Sequence, residues 1–320
     1  MAKSFEWYEP ETPDEIIQEA IDKGLTDFYV AYSGGKDSGI ALDFMAKNYP
    51  NLFRGVVFVD TGIGIADTKK FIIDFCSRKN YPLTIMNPSD VIRTKTTSRG
   101  KPGEVFSYEK LVLTYGFPRQ AFHTVTMQHL KYFPIRKFIY DKIRAGENPC
   151  IVGGIRKKES KRRKIKWSKY LYNDQKMWFV SPLFFKSNGW VYDYFITNKI
   201  ERSPVYEFLE LSGDCLCGAF ATHSELKLIQ QFYPETFNEI KRLEKLIQEQ
   251  GTDVAKRNCK WGKYEQSTQD IESQTTMDGF VDKNIESIIC SDCSLDDKEQ
   301  DTKRFDDEMA DIEKKLEAFT

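Results

Sequence analysis

The chain has 320 residues, 47 Lys and Arg against 48 Asp and Glu, a formal net charge of −1 and seven cysteines. That length carries a sizeable core plus a smaller domain or tail. The balanced charge excludes a globally basic nucleic-acid-binding chain, and the 14% aromatic content excludes disorder of the main body. No apolar run reaches membrane-spanning length, and the first residues, MAKSFEWYEPETPDE, lack a signal-peptide core. A cytoplasmic protein without a membrane partner is the expectation.

In chain order, residues 12–24 read as a helix, with Thr12 as cap, Pro13 in the first turn and Gly24 as stop. The apolar run Phe28-Tyr29-Val30-Ala31 reads as a buried parallel strand. Ser33-Gly34-Gly35-Lys36-Asp37-Ser38 follows, and then apolar residues at Ile40, Ala41, Phe44 and Met45 take helical spacing, which starts a helix at Asp37 or Ser38. A strand that ends in two glycines and feeds a helix suits a polyphosphate. The glycines let the backbone approach an anion, and the first-turn N–H groups with the helix dipole attract it. Ser33 and Ser38 add hydroxyl donors and Lys36 a cation.

Gly55 to Asp60 reads as a second buried strand, which leaves Thr61 and Gly62 at its carboxyl end, where open α/β sheets place ligands. A helix over 66–79 and a strand from Leu83 to Met86 continue the alternation. The fold class expected is α/β, a Rossmann-like parallel sheet with helices on both faces. Residues 93–104, with Lys95, Arg99 and Lys101, read as a mobile loop able to act as a lid. Helical stretches follow at roughly 104–115, 119–131 and 134–145, carrying His123 and His129, and then a strand over 150–154. The basic arm 156–169 comes after Gly153 and Gly154 at that strand's end and has more cations than one nucleotide needs, which fits a nucleic acid or another polyanion. Two helices broken at Pro234 fill 222–250, and residues 265–285 read as a loose linker. The acidic tail 296–320 carries Phe305, Met309, Ile312, Leu316 and Phe319 on one helical face, suited to a protein partner or to the body of the chain.

Ser33 to Ser38 resembles the SGGKDS pyrophosphate loop of the N-type ATP pyrophosphatases (the PP-loop, HUP-type superfamily). The other segments point within them to the phosphoadenosine-phosphosulfate (PAPS) reductase family. VVFVDTG is similar to that family's second motif, which implies Asp60, Thr61 and Gly62 near the adenosine. Arg119, Leu130, Lys131 and Pro134 match parts of a family RWCT…LK-x-x-P segment, without its cysteine. Residues from Gly154 to Arg163 are similar to the family's GIR-x-x-ES-x-x-R, which implies that Arg156, Glu159, Ser160 and Arg163 face the substrate, with guanidinium clamps for an anion. Arg119 and Lys131 join them as substrate-binding by the same resemblance. Pro182, Leu183, Trp190, Val191 and Tyr194, then Ser203-Pro204-Val205-Tyr206, follow two further family stretches.

Two thiol pairs stand out. Cys215-Leu216-Cys217 and Cys290-Ser291-Asp292-Cys293 together could complete a tetrahedral four-thiolate site, with Cys259 able to replace one of them. Zinc is the expectation and an iron–sulfur cluster the alternative. Cys76 and Cys150 read as buried thiols. The expected division is a nucleotide-binding domain over 1–205, a helical cysteine-rich region over 206–295 and the tail.

The resemblance implies an enzyme that binds ATP with Mg²⁺ and splits it at the α-phosphate. Ser33, Gly34, Gly35, Lys36, Asp37, Ser38, Asp60, Thr61, Gly62, Gly153 and Gly154 would hold the nucleotide. Lys36, Asp37, Arg156 and Arg163 would be catalytic. The product would be an adenylylated acceptor, activated for sulfur transfer or nucleic-acid modification. Sulfonucleotide reduction is an alternative, although the chain departs from that branch's ECG-x-H motif and has no cysteine after Cys293. A non-catalytic ATP-binding subunit is another.

Overall fold

The structure is a computed structural model, and it describes residues 12–92, 103–119, 122–157, 170–174, 176–209 and 211–262. The first helix, α1 (Pro13–Asp22), opens on a reciprocal cap. The Thr12 hydroxyl accepts from the Glu15 amide and the Glu15 carboxylate accepts from the Thr12 amide. Its apolar face, Ile16, Ile17 and Ala20, is buried in the main core.

β1 (Asp27–Ala31), β2 (Phe53–Val59), β3 (Leu83–Met86) and β4 (Pro149–Val152) run parallel, with α2 (Lys36–Asn48) and α3 (Ala66–Lys79) between the first three. β5 (Leu171–Asp174) and β6 (Met177–Val180) form a hairpin whose second strand pairs with β4. The sheet order is β3-β2-β1-β4-β6-β5. The named strands pair in parallel except β5–β6, so the sheet is the expected Rossmann-like parallel sheet with one antiparallel edge hairpin. The hairpin strands are four residues each, and β5 (LYND) is a half-buried edge with no apolar run to signal it.

Two local boundaries also differ from expectation. α2 starts at Lys36 rather than Asp37 or Ser38, because Gly35 itself takes the extended cap position. The helices expected to part at Pro134 run on without a break. α5 (His123–Met127) passes through a π-helical turn, Gln128–Tyr132, into α6 (Phe133–Arg144). A proline clashes with the carbonyl four residues back in an ordinary helix, and the wider turn just before Pro134 relieves that crowding.

Two buried clusters result. The first lies around the sheet and includes Phe28, Val30, Ile40, Met45, Val57, Ile151 and Phe179. The second gathers α4 (Tyr108–Tyr115), α9 (His223–Phe232), α10 (Pro234–Gln250) and α11 (Asp253–Arg257), after the intervening α7 (Asn188–Thr197) and α8 (Tyr206–Leu209). It also takes in Ile63 and Ile65 from the β2–α3 loop, so segments on both sides of position 205 share it. Trp261 closes it. Its ring N–H donates to Leu216 O at 2.8 Å and its backbone N–H to Glu244 at 3.2 Å. Among the described residues no helix is long and apolar enough to cross a membrane.

Candidate active site

The sheet order sets the location. From β1 the chain moves outward through β2 and β3, then returns to place β4 on β1's other side. Ligands of open α/β sheets bind at the carboxyl ends of strands where the order reverses, here between β1 and β4. The glycine loop follows β1 and Gly153-Gly154 follows β4.

A cleft at this point is lined by Ala31, Tyr32, Ser33, Ser38, Gly153, Gly154, Ile155, Lys131 and Asp214, with Val57, Phe58 and Val59 from β2. Ser33 and Ser38 hold the loop in shape. The Ser33 amide donates to the Ser38 hydroxyl at 3.3 Å, the two hydroxyls lie 3.0 Å apart, and Ser38 Oγ donates to Gly35 O at 3.2 Å. Gly34 has φ +79°, a conformation that glycine takes without a Cβ penalty. Gly35 caps α2 without a side chain. A Cβ there would lie 2.7 Å from Tyr206 Oη, so the phenol sits directly against the loop. Lys36 opens α2, half-exposed, on the amide end of the helix.

Gly154 presses β4's end onto α2. A Cβ at Gly154 would stand 2.5 Å from the Asp37 carbonyl carbon and 2.6 Å from Ser38 N. Arg156 then reaches across. Its Nε donates to Asp37 Oδ2 at 3.0 Å and its NH1 to Asn188 Oδ1 at 2.6 Å, with the arginine side chain 4% and the Asp37 side chain 11% exposed. Arg156 thus braces the first turn of α2 from within.

Asp60 shapes the turn after β2. Its carboxylate accepts from Gly62 N at 3.0 Å and from Lys69 Nζ at 2.7 Å. Thr61 is buried beside Cys215. Arg119 lies half-buried in the turn before α5, away from the cleft lining. His123 and His129 are both buried. His129 Nδ1 lies 2.7 Å from Val125 O and its ring packs on Phe106 and Phe133, while the His123 ring packs on Phe220. Glu159, Ser160, Arg163 and the rest of the arm from 158 to 169, the loop over 93–102, the linker and the tail lie outside the described residues.

Lys131 sits in the π-helical turn, the kind of irregularity that often marks a site. Its ammonium pairs with Asp214 Oδ2 at 2.6 Å, with both side chains at least 92% buried. Asp214 also accepts from Ser212 Oγ at 2.9 Å. No motif in the sequence marks Asp214 as a site residue. Its acidic side chain between a glycine and a thiol pair was the available signal.

Cys215 and Cys217 line a second small cleft with Gly213, Asp214, Gly218, Phe220 and Trp261, so Asp214 borders both. A hydrogen bond from the Cys217 thiol holds Cys215 below the ordinary thiol pKa against the opposing effect of burial, and the Lys131 charge adds to the lowering. The same bond, with burial, pushes Cys217 well up. Among the described residues no group of three or more His, Cys, Asp or Glu side chains is placed to hold a metal ion. Cys259 packs on the second cluster and meets Gln248, while Cys290 and Cys293 lie outside the described residues.

Removing one partner of a buried ion pair strands the other. Lys131→Met leaves the Asp214 carboxylate with its serine alone and is expected to cost about 3–5 kcal/mol. Urea unfolding measures it, and Lys131→Met with Asp214→Asn should recover part of the loss. An unchanged midpoint in the single variant would refute the pairing.

A glycine loop at the switch point of a mostly parallel sheet, with a buried arginine and lysine around it, defines a Rossmann-like α/β protein with a candidate ligand cleft. Residues 27–209 match the sequence profile of the phosphoadenosine phosphosulfate reductase domain, and the chain belongs to that family, within the PP-loop superfamily. No curated protein matches the sequence. Among solved structures it is similar to PAPS reductase from Candida auris in a phosphate complex, with 15% identity, 61% of this chain and 84% of that chain covered, and a TM-score of 0.42. It is also similar to Candida glabrata FMN adenylyltransferase with FAD and inorganic pyrophosphate, at 13% identity, with 89% and 93% covered and a TM-score of 0.36. The U34-tRNA thiolase NcsA from Methanococcus maripaludis, with its [4Fe-4S] cluster, is a third, at 12% identity, with 80% and 91% covered and a TM-score of 0.36.

Proposed function

We propose that the chain is an ATP pyrophosphatase that cleaves ATP at the α-phosphate and passes the adenylyl group to an acceptor. The observation that carries this reading is the glycine loop at the β1–β4 switch point, pressed by Gly154 and braced by Arg156. Such a seat suits a departing pyrophosphate. An acceptor oxygen attacks the α-phosphorus, the bond to the β-phosphate oxygen breaks, and pyrophosphate leaves with the electron pair. Loop amides, Ser33, Ser38 and Lys36 stabilise the charge that gathers there. Mg²⁺ brought in with the triphosphate would offset further phosphate charge. Lys131, which lines the same cleft, suits the second anionic group.

Sulfonucleotide reduction is the second reading, favoured by one observation. The Cys215–Cys217 pair stands beside Asp214, a residue that also lines the nucleotide cleft. In that reaction a thiolate takes the sulfuryl group, adenosine bisphosphate leaves, and a second thiol releases sulfite as a disulfide forms. The arm beyond residue 157 supports a polyanionic acceptor by its composition alone.

The test is incubation with α-labelled ATP and Mg²⁺, with and without PAPS and a thiol reductant. AMP and pyrophosphate, lost in Lys36→Ala, are the expected products. Adenosine bisphosphate and sulfite from PAPS, with ATP untouched, would replace the first reading by the second.

A further inference from the structure

The cleft is one gap in a ring of buried polar groups. On one side, Gly34 O accepts from the Ser203 amide at 2.8 Å. The Ser203 hydroxyl lies 3.0 Å from Thr68 Oγ1, and Thr68 Oγ1 in turn donates to Ser212 O. Ser212 Oγ donates to Asp214 Oδ1 at 2.9 Å, and Lys131 Nζ donates to Asp214 Oδ2 at 2.6 Å. Lys131 and Asp214 line the same cleft as Ser33 and Ser38 of the glycine loop. An anion lying between the glycine loop and Lys131 therefore touches both ends of one hydrogen-bonded chain.

None of this is cheap in stability. Ser203, Thr68 and Ser212 are fully buried, and a buried ion pair seldom outperforms well-packed apolar side chains. What such a network does well is fix geometry, because each member constrains the next. Here it fixes the loop Ser212–Cys217 to the β2–α3 turn, helped by Ile65 N to Gly213 O at 2.8 Å and Leu216 N to Ile63 O at 2.6 Å. Gly213 and Gly64 allow that approach. A Cβ at Gly64 would stand 2.8 Å from Asp214 O, and one at Gly213 3.2 Å from Thr68 Oγ1.

We propose that this ring, which runs through Thr68, Ser212 and Asp214, ties occupancy of the anion seat to the order of the Ser212–Cys217 loop. It rests on the reading of the cleft as a nucleotide polyphosphate site. A filled seat tightens Gly34 and Lys131 together, and Thr68 carries the constraint to the loop that bears the thiols. Thr68 itself lies behind the glycine loop, with its methyl 3.4 Å from where a Gly34 Cβ would be, and does not line the cleft.

The experiment is hydrogen exchange by mass spectrometry on the full chain, with ATP and Mg²⁺ and separately with inorganic pyrophosphate, and with the dissociation constants measured on the same samples. In the wild type, ligand should slow exchange in peptides spanning 33–38 and 211–218 together, by roughly threefold or more. Thr68→Val keeps the methyl packing and removes both hydrogen bonds. It should keep the slowing at 33–38 and an ATP dissociation constant within about twofold, and lose the slowing at 211–218. Thr68→Ser, which restores the hydroxyl, should restore it. If Thr68→Val does not fold, Ser212→Ala cuts the side-chain link next along the ring. Slowing at 211–218 that survives in the variant, or is missing from a wild type protected at 33–38, overturns the coupling alone. No binding of either ligand overturns the nucleotide reading and the coupling with it.

Discussion

Arg156→Met is expected to cost about 3–5 kcal/mol of folding stability and to abolish ATP cleavage, the cost of stranding one charge of a buried pair. The guanidinium holds Asp37 Oδ2 and Asn188 Oδ1 with two different nitrogens, and its side chain is 4% exposed. Methionine fills the volume and leaves the Asp37 carboxylate without its arginine at the first turn of α2. Lysine is not a rescue. A single ammonium has no fork with which to reach both oxygens in the arginine's geometry, so Arg156→Lys should recover stability only in part. Urea unfolding and ATP turnover on the same preparations decide it. A methionine variant with unchanged stability would show that the pair is incidental. One with full stability and no turnover would shift Arg156 from brace to ligand contact.

Gly154→Ala should be nearly as damaging, through sterics alone. The added methyl would sit 2.5 Å from the Asp37 carbonyl carbon and 2.6 Å from Asp37 O and Ser38 N. These are backbone atoms of the helix turn and cannot swing aside as a side chain tip does. Overpacking of this kind costs about 1–3 kcal/mol. The larger expected effect is functional, because the turn that must move carries the amides proposed to bind the anion. A displacement approaching 1 Å should lower turnover by roughly two orders of magnitude and weaken ATP binding with it. Gly189→Ala is the control. Its nearest neighbour would be Ser187 Oγ at 3.9 Å, so it should be neutral or slightly stabilising within α7. Calorimetric titration with ATP separates the two, and equal affinities in both variants would remove Gly154 from the site.

Much of this site is legible in the chain. Phe28 to Met45 announces a strand, a glycine turn and a helix by local rules, and β1, the loop and α2 follow them. The second strand and helix are as plain, with α3 at 66–79 and β3 at Leu83–Met86 where their spacing puts them. Local chemistry sets these elements, since apolar period, caps and glycines act within one or two turns of chain. The β5–β6 hairpin is not legible, because its edge strand, Leu171–Asp174, is half-buried and has no apolar run to mark it. Nor is the continuous α5–α6 helix, where a π-turn absorbs a proline that would ordinarily break it.

The alternation of elements and the strand–glycine turn–helix shape of the loop after β1 were thus determined by the sequence alone. Tertiary structure decided which side chains meet there. Lys131 and Asp214 are 83 residues apart, Thr68 and Ser203 135, and Arg156 and Asp37 119. No periodicity links positions at such separations. Only the return of β4 to the far side of β1, and the folding of the 203–217 segment over the β2–α3 turn, brings them within hydrogen-bonding distance. Burial then raises the cost of leaving any of them unpaired, which is why these partners, rather than solvent, fix the geometry of the cleft.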